Sequence, residues 1–281
     1  MYSDVTPDSG TLSSATARRP RIIAVANQKG GVGKTTTTIN LATALAAVQK
    51  QALIVDLDPQ GNASTGLGLD SQARSENIYH VLTDEAQLID VIRKTDIPGL
   101  DVIASGIDLS GAEIELIDLE RREYRLRNAL RGAALDYDYI LIDCPPALGL
   151  LTVNGLVAAD AVLVPLQCEF FALEGISHLT RTIERIRAGY NPRLAIQGIV
   201  LTMYDRRNNL SLMVESDVRA HFGDLVYNTV IPRNVRVSEA PSHGRPVLIY
   251  DISCAGSQAY LHLASEVIHR ERQLEQQVSA P

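Results

Sequence analysis

Two lysines and three aspartates carry the chemistry open to this sequence. Lys29 and Lys34, two of only four lysines in the chain, lie five residues apart in Asn27-Gln28-Lys29-Gly30-Gly31-Val32-Gly33-Lys34-Thr35-Thr36. Glycines let a backbone wrap closely round phosphates, and successive N–H groups leading into a helix N-terminus supply positive potential. In such a loop Lys34 is expected to reach the β- and γ-phosphates of a nucleotide, and Thr35 to offer its hydroxyl to Mg²⁺. The match to the ordinary Gly-x-x-x-x-Gly-Lys-Ser/Thr loop is imperfect, because Gln28 stands where the first glycine belongs. Nor is it a dinucleotide fingerprint, since Thr36 replaces the third glycine.

The acids close two apolar strands. Ala52–Asp56 runs into Leu57-Asp58 and a Pro59-Gln60-Gly61 turn, and alternation puts Asp56 and Asp58 on one side at the strand's carboxyl end. A cap or turn role is the other reading open to both. Tyr139–Asp143, followed by Cys144-Pro145-Pro146, has the form of a Walker B strand, so Asp143 is expected to hold the metal through water. Cys144 has no recognisable base beside it and reads as a small packed residue.

To position these residues the chain must alternate strands and helices. Buried strands are expected at Ile22–Ala26, Ala52–Asp56, Leu100–Ala104, Tyr139–Asp143, Ala161–Pro165 and Leu194–Thr202. Helices are expected at Thr35–Val48, Ile114–Ala134, Leu173–Ala188, Leu210–Phe222 and about Ser257 to Leu274. Apolar strands alternating with helices imply an α/β fold: a doubly wound, mostly parallel sheet with helices on both faces. The organisation read from the chain is a flexible leader over 1–20, one P-loop domain over 21–275 and a tail over 276–281.

Composition excludes several functions. No run approaches 18 consecutive apolar residues, which argues against a transmembrane helix. The final helix is polar and lacks the basic and bulky apolar faces of a membrane-surface helix. Three widely spaced cysteines without a Cys-x-x-Cys pair speak for a reducing compartment and against a structural zinc or iron–sulfur site. The net charge is −7, yet Arg181–Arg245 holds ten arginines against six acids, so one basic face is compatible with an acidic whole.

Lys29-Gly30-Gly31-Val32-Gly33-Lys34-Thr35-Thr36 resembles the deviant Walker A loop shared by partition ATPases, the division-site ATPase MinD and the nitrogenase iron protein. Leu201–Asn209 and the block Ile231-Pro232-Arg233-Asn234-Val235-Arg236-Val237-Ser238-Glu239-Ala240-Pro241-Ser242 narrow the likeness to the ParA/Soj group, over about Arg21 to Val267. The resemblance implies an ATPase using ATP and Mg²⁺, with residues 29–36 around the phosphates and Lys29 crossing a two-fold interface to the nucleotide of a second subunit. It implies that Asp58 orients or activates the attacking water and that Asp56 supports the Mg²⁺ shell. Met203, Asp205, Pro232 and Asn234 would lie about the adenine, and Arg207 and Arg236 would contact DNA without reading sequence. Surface ion pairs are the other reading of those two arginines. The expected protein is a slow ATPase in the cytoplasm, on the nucleoid, that dimerises with ATP and segregates chromosomes or plasmids. A ParB-type centromere-binding partner would stimulate it, and no membrane is involved. The alternative is a related ATPase that positions a protein cargo on the nucleoid.

Overall fold

The computed structural model describes residues 19–279 of the chain. Of the expected leader only Arg19 and Pro20 fall within the described residues, and residues 280 and 281 of the expected tail lie outside them. In chain order the elements are β1 (Arg21–Val25), α1 (Lys34–Ala47), β2 (Ala52–Asp56), α2 (Asn62–Gly66), α3 (Ile78–Leu82), β3 (Ile92–Lys94), β4 (Leu100–Ile103), α4 (Leu109–Glu115), α5 (Arg125–Gly132), β5 (Tyr139–Asp143), α6 (Leu150–Ala158), β6 (Ala161–Gln167), α7 (Ala172–Gly189), β7 (Ala195–Tyr204), α8 (Asn209–Phe222), β8 (Val226–Pro232), α9 (Val235–Glu239), α10 (Val247–Tyr250) and α11 (Ala255–Ser279).

The strands form one sheet in the order β3-β4-β2-β5-β1-β6-β7-β8, parallel throughout except for the β3–β4 pair. Between their end residues the central strands are apolar at every position because both faces are covered. Ile22, Ala24, Leu53, Val55, Ile140 and Ile142 pack on one side, with α6 and α7 supplying Leu156, Ile176 and Ile183. Ile23, Val25, Ile54 and Leu141 face the other side, against Leu41 and Leu45 of α1 and Tyr260, Leu263 and Val267 of α11. The parallel arrangement brings the carboxyl ends of seven strands to one edge, and the phosphate loop, Asp56 and Asp143 all lie there.

Two expectations are corrected. Residues 114–134 do not form one helix: α4 stops at Glu115, and α5 starts only at Arg125. Between them Arg121 takes a left-handed backbone (φ 55°). The break is pinned by Asn154 of α6, whose Nδ2 donates to the Arg122 carbonyl at 2.9 Å. The sheet also has two strands beyond the six expected. β3 is a three-residue antiparallel edge, and β8 is the opposite edge, with Asn228 exposed and Thr229 half-buried. Glu266 of α11 accepts from the amides of Asn228 (2.8 Å) and Thr229 (3.0 Å), which satisfies edge donors and blocks further strand pairing.

Candidate nucleotide site at the carboxyl edge

The loop after β1 is braced on three sides. Asn27 Nδ2 donates to the carbonyl of Pro165 on β6 at 2.7 Å, and its Oδ1 accepts from Lys29 N at 3.1 Å. Gln28 Nε2 donates to Thr182 Oγ1 of α7 at 3.1 Å, and Thr202 Oγ1 of β7 donates to the Val32 carbonyl at 2.8 Å. Gly31 and Gly33 have φ of 74° and 88°, a left-handed backbone that side-chain-bearing residues enter at a cost. Gly33 caps α1, whose free amides at Thr35 and Thr36 complete an anion cradle.

The two lysines of the loop part company. Lys34 is buried, its Nζ donates to the Lys29 carbonyl at 3.1 Å, and burial lowers its pKa against the fields of Asp143 and Asp58. Lys29 turns its ammonium outward into an ion pair with Glu169, in the turn between β6 and α7, where both side chains are near half-exposed.

The acids lie where the strands place them, in distinct settings. Asp56 Oδ2 accepts from Ser64 N (2.8 Å) and Ser64 Oγ (2.7 Å), and its Oδ1 accepts from Asp58 N at 3.3 Å. Its oxygens thus brace the turn that carries Asp58. Asp58 is buried and accepts from Gln60 N at 3.0 Å. Asp143 is fully buried, and its Oδ1 lies 3.2 Å from the hydroxyl of Thr38, one turn into α1, but its Oδ2 has no hydrogen-bond partner among the described residues. Burial raises the Asp143 carboxyl, and the neighbouring Asp56 raises it further, against hydrogen bonds from Thr35 and Thr38. Burial raises Asp56 too.

An orphaned carboxylate oxygen beside a threonine hydroxyl and a phosphate cradle suits Mg²⁺, which takes one or two protein oxygens and completes its octahedron with phosphate and water. The described residues hold no cluster of three or more His, Cys, Asp or Glu that could bind a metal without such help. Cys144 is buried, and burial pushes its thiol well above the usual range, so it is an inert packed residue.

The carboxy-terminal residues converge beside this loop. Tyr204 of β7 is in register with Pro232 of β8, and Arg233 N donates to the Tyr204 carbonyl at 3.0 Å, so Met203 and Asp205 lie alongside Pro232 and Asn234. Met203 has φ 49°, a strained backbone for a residue with a side chain. Asn234 Oδ1 accepts from Arg236 N at 2.9 Å and caps α9. Arg207 grips Asp205 with Nε and Nη2, each at 3.1 Å, but keeps 91% of its side chain exposed. Arg236 pairs with Glu239 at 3.0 Å and Asp251 at 3.6 Å, and half its side chain is open. Arg206, Arg207 and Arg233 line one cavity of about 1000 Å³ next to Pro232.

Four residues of the site carry no motif of their own. Thr38 and Ser64 are set by the tertiary arrangement, and Arg206 and Arg233 adjoin the motif residues Arg207 and Asn234. An i, i+4 step from Lys34 along α1 points to Thr38, and adjacency in the motif points to Arg206 and Arg233.

Comparison with known proteins agrees with this geometry. The family model of an AAA domain matches residues 20–196. The chromosome partitioning protein ParA of Caulobacter vibrioides is 65% identical over 254 residues, covering 90% of this chain and 95% of that protein. The sporulation initiation inhibitor protein Soj of Bacillus subtilis is 52% identical over 247 residues, covering 88% and 98%. Among solved structures, a cobyrinic acid a,c-diamide synthase of Mycobacterium smegmatis with a bound ATP analogue and magnesium superposes with a TM-score of 0.78 at 37% identity, covering 90% of this chain and 96% of that one. With its phosphate loop, its paired strand-end acids and this identity over most of its length, the chain belongs to the ParA/Soj family of chromosome-partitioning P-loop ATPases.

Proposed function

We propose that this protein is an ATP-driven dimerisation switch that binds DNA without sequence preference and segregates replicated DNA together with a ParB-type partner. The observation that carries the reading is the divergence of the two loop lysines. Lys34 is buried within its own cradle, whereas Lys29 directs its ammonium outward to Glu169. An outward ammonium on the phosphate edge serves a nucleotide that a second copy presents, as an arginine finger does.

In this reading each residue has a role that its position supports. Amides of residues 30–36 and the Lys34 ammonium hold the triphosphate. Thr35 and Asp143 hold Mg²⁺, which when bound neutralises phosphate charge, and Asp56 stands behind them fixing the Asp58 turn. Asp58 orients the attacking water. Met203, Asp205, Pro232 and Asn234 enclose the base. Arg207 and Arg236, with Arg206 and Arg233 beside them, meet phosphate oxygens of DNA; guanidinium groups on a rigid scaffold do so without reading bases. One chain offers few cations, and closing two chains doubles them, so DNA affinity follows the nucleotide. Hydrolysis is slow until the partner stimulates it, and the protein then leaves the nucleoid for the cytoplasm. Among the described residues no helix is long and apolar enough to cross a membrane.

The test uses Asp58→Ala, which on this reading removes the group that orients the attacking water and so should block turnover. Light scattering with saturating Mg·ATP should find dimers, and DNA retention should appear with ATP, fail with ADP and weaken steeply with salt. Single chains at saturating Mg·ATP overturn the reading.

A further inference from the structure

The chain has only three phenylalanines, and two of them stand exposed side by side. Phe170 is 77% exposed and Phe171 64%, with ring centroids 5.1 Å apart in an edge-to-face contact. They follow Glu169, the residue that holds Lys29, in the turn from β6 to α7 at the carboxyl edge. β6 lies next to β1 in the sheet, so this turn stands beside the phosphate loop.

The exposure is built into the fold. Ala172 N donates to the Glu169 carbonyl at 2.9 Å and Gly175 N to the Phe171 carbonyl at 3.1 Å, so backbone bonds fix the turn. Phe171 also occupies the N-cap of α7, a position where Ser, Thr, Asp or Asn would satisfy free amides, and it makes no side-chain cap bond. One helix cap and the burial of two rings are thus given up to present an aromatic pair to solvent.

We propose that Phe170 and Phe171 are the apolar anchor of the ATP-closed dimer, docking against a second copy of this chain. This rests on the reading above, in which Lys29 serves the nucleotide of that copy. A copy placed to receive Lys29 must cover Glu169, which touches it, and the two rings that follow in the same turn. In a two-fold interface each copy presents the same patch to the other, so four rings are covered. Together they supply on the order of 500 Å² of apolar surface, a large share of the roughly 1,600 Å² of a standard interface. Aromatic anchors at the centre of an interface, ringed by charged groups such as Lys29 and Glu169, are the usual arrangement where a few residues dominate affinity.

The experiment places Phe170→Ser/Phe171→Ser in the Asp58→Ala chain and follows light scattering over protein concentration with Mg·ATP. The expected result is a shift of the dimerisation midpoint to at least tenfold higher concentration. A fluorescent ATP analogue measured below that midpoint should bind both chains equally. An unchanged midpoint overturns the anchor while leaving the dimer reading intact. An unchanged midpoint, with loss of ParB-type stimulation when the two serines are placed in the chain that keeps Asp58, also overturns it, and assigns the rings to that partner instead. Failure of the Asp58→Ala parent to dimerise is a different result, and sinks the underlying reading together with the anchor. Phe171→Cys supplies a check that tolerates any folding defect of the double variant: a short bis-maleimide should link two chains with Mg·ATP and not with Mg·ADP, and no ATP-dependent link overturns the anchor.

Discussion

Asp56 and Asp143 are register partners on the adjacent parallel strands β2 and β5, and neither has any solvent exposure. Strands sit about 4.8 Å apart, so two carboxylates share a small buried volume where both cannot stay ionised without a cation. They divide the work. Asp56 accepts three hydrogen bonds, two from Ser64 and one from the Asp58 amide, while Asp143 keeps one oxygen without a partner among the described residues. The pair therefore offers a cation one open oxygen with a fixed acid behind it.

The open oxygen can be tested by Asp143→Asn, which keeps the shape and removes the charge. Burial already disfavours the ionised carboxyl, so the nucleotide-free protein should melt no lower than the parent. Saturating Mg·ATP at a hundredfold excess over Kd stabilises a binding protein by about 2.7 kcal/mol. Thermal melts should show that gain in the parent and lose its magnesium-dependent share in the variant. A full magnesium-dependent shift in Asp143→Asn would place the cation on other residues.

Ser64→Ala removes the hydroxyl that donates to Asp56 Oδ2 at 2.7 Å and accepts from Ser105 N at 3.0 Å, both in the buried interior. Leaving those groups short of a partner costs about 1–3 kcal/mol. The Asp58 turn hangs on Asp56, so steady-state ATPase should show kcat falling with little change in ATP affinity, because the loop that grips phosphate is untouched. Equal loss in kcat and affinity would mean that Ser64 supports the whole cradle.

Arg207 and Arg236 are ion-paired in the single chain, but each lies largely or half open to solvent. Exposed pairs of this kind are weak, so a DNA phosphate competes with the carboxylates readily. Replacing either by Ala should weaken binding to every DNA sequence alike. The salt dependence should flatten by about one unit for each guanidinium–phosphate pair removed, hence about two per dimer. Filter retention over a salt series measures this, with light scattering to show that ATP-driven dimerisation is kept. An unchanged slope would leave the arginine to its ion pair.

The strands that build the site are legible because the interior of a parallel sheet demands apolar residues at every position, as in Ile140-Leu141-Ile142. The phosphate loop and Asp143 are legible because few other roles require those residue types just after a strand. β8 is not, since an edge strand carries Asn228 and Thr229 and loses the all-apolar pattern. The break between α4 and α5 is also hidden: Leu126 and Leu130 continue a helical stripe, and only the Asn154 contact from α6 shows where the chain turns. Ser64 is invisible for a similar reason, as it matters through Asp56 and the amide of Ser105, 41 residues downstream.

Gly198→Ala separates the fold from the site. A methyl added at Gly198 would stand 2.5 Å from Tyr227 Cε2, 2.9 Å from Arg270 Nη1 and 3.0 Å from the Leu225 carbonyl oxygen. Tyr227 is fully buried and Arg270 lies over its ring at 3.9 Å, so neither can retreat without opening the packing of β8 on α11. Such overpacking costs about 1–3 kcal/mol. In a chain of this size each kcal/mol lowers the melting temperature by about 2–4 °C, so a fall of several degrees is expected by circular dichroism. Gly198 lies in the first half of β7, away from the carboxyl edge that carries Met203 and the phosphate loop, so ATPase activity per folded molecule at a temperature well below the transition should be unchanged. A drop in that activity with no loss of stability would show that the β7–β8 edge positions the nucleotide site as well as closing the sheet.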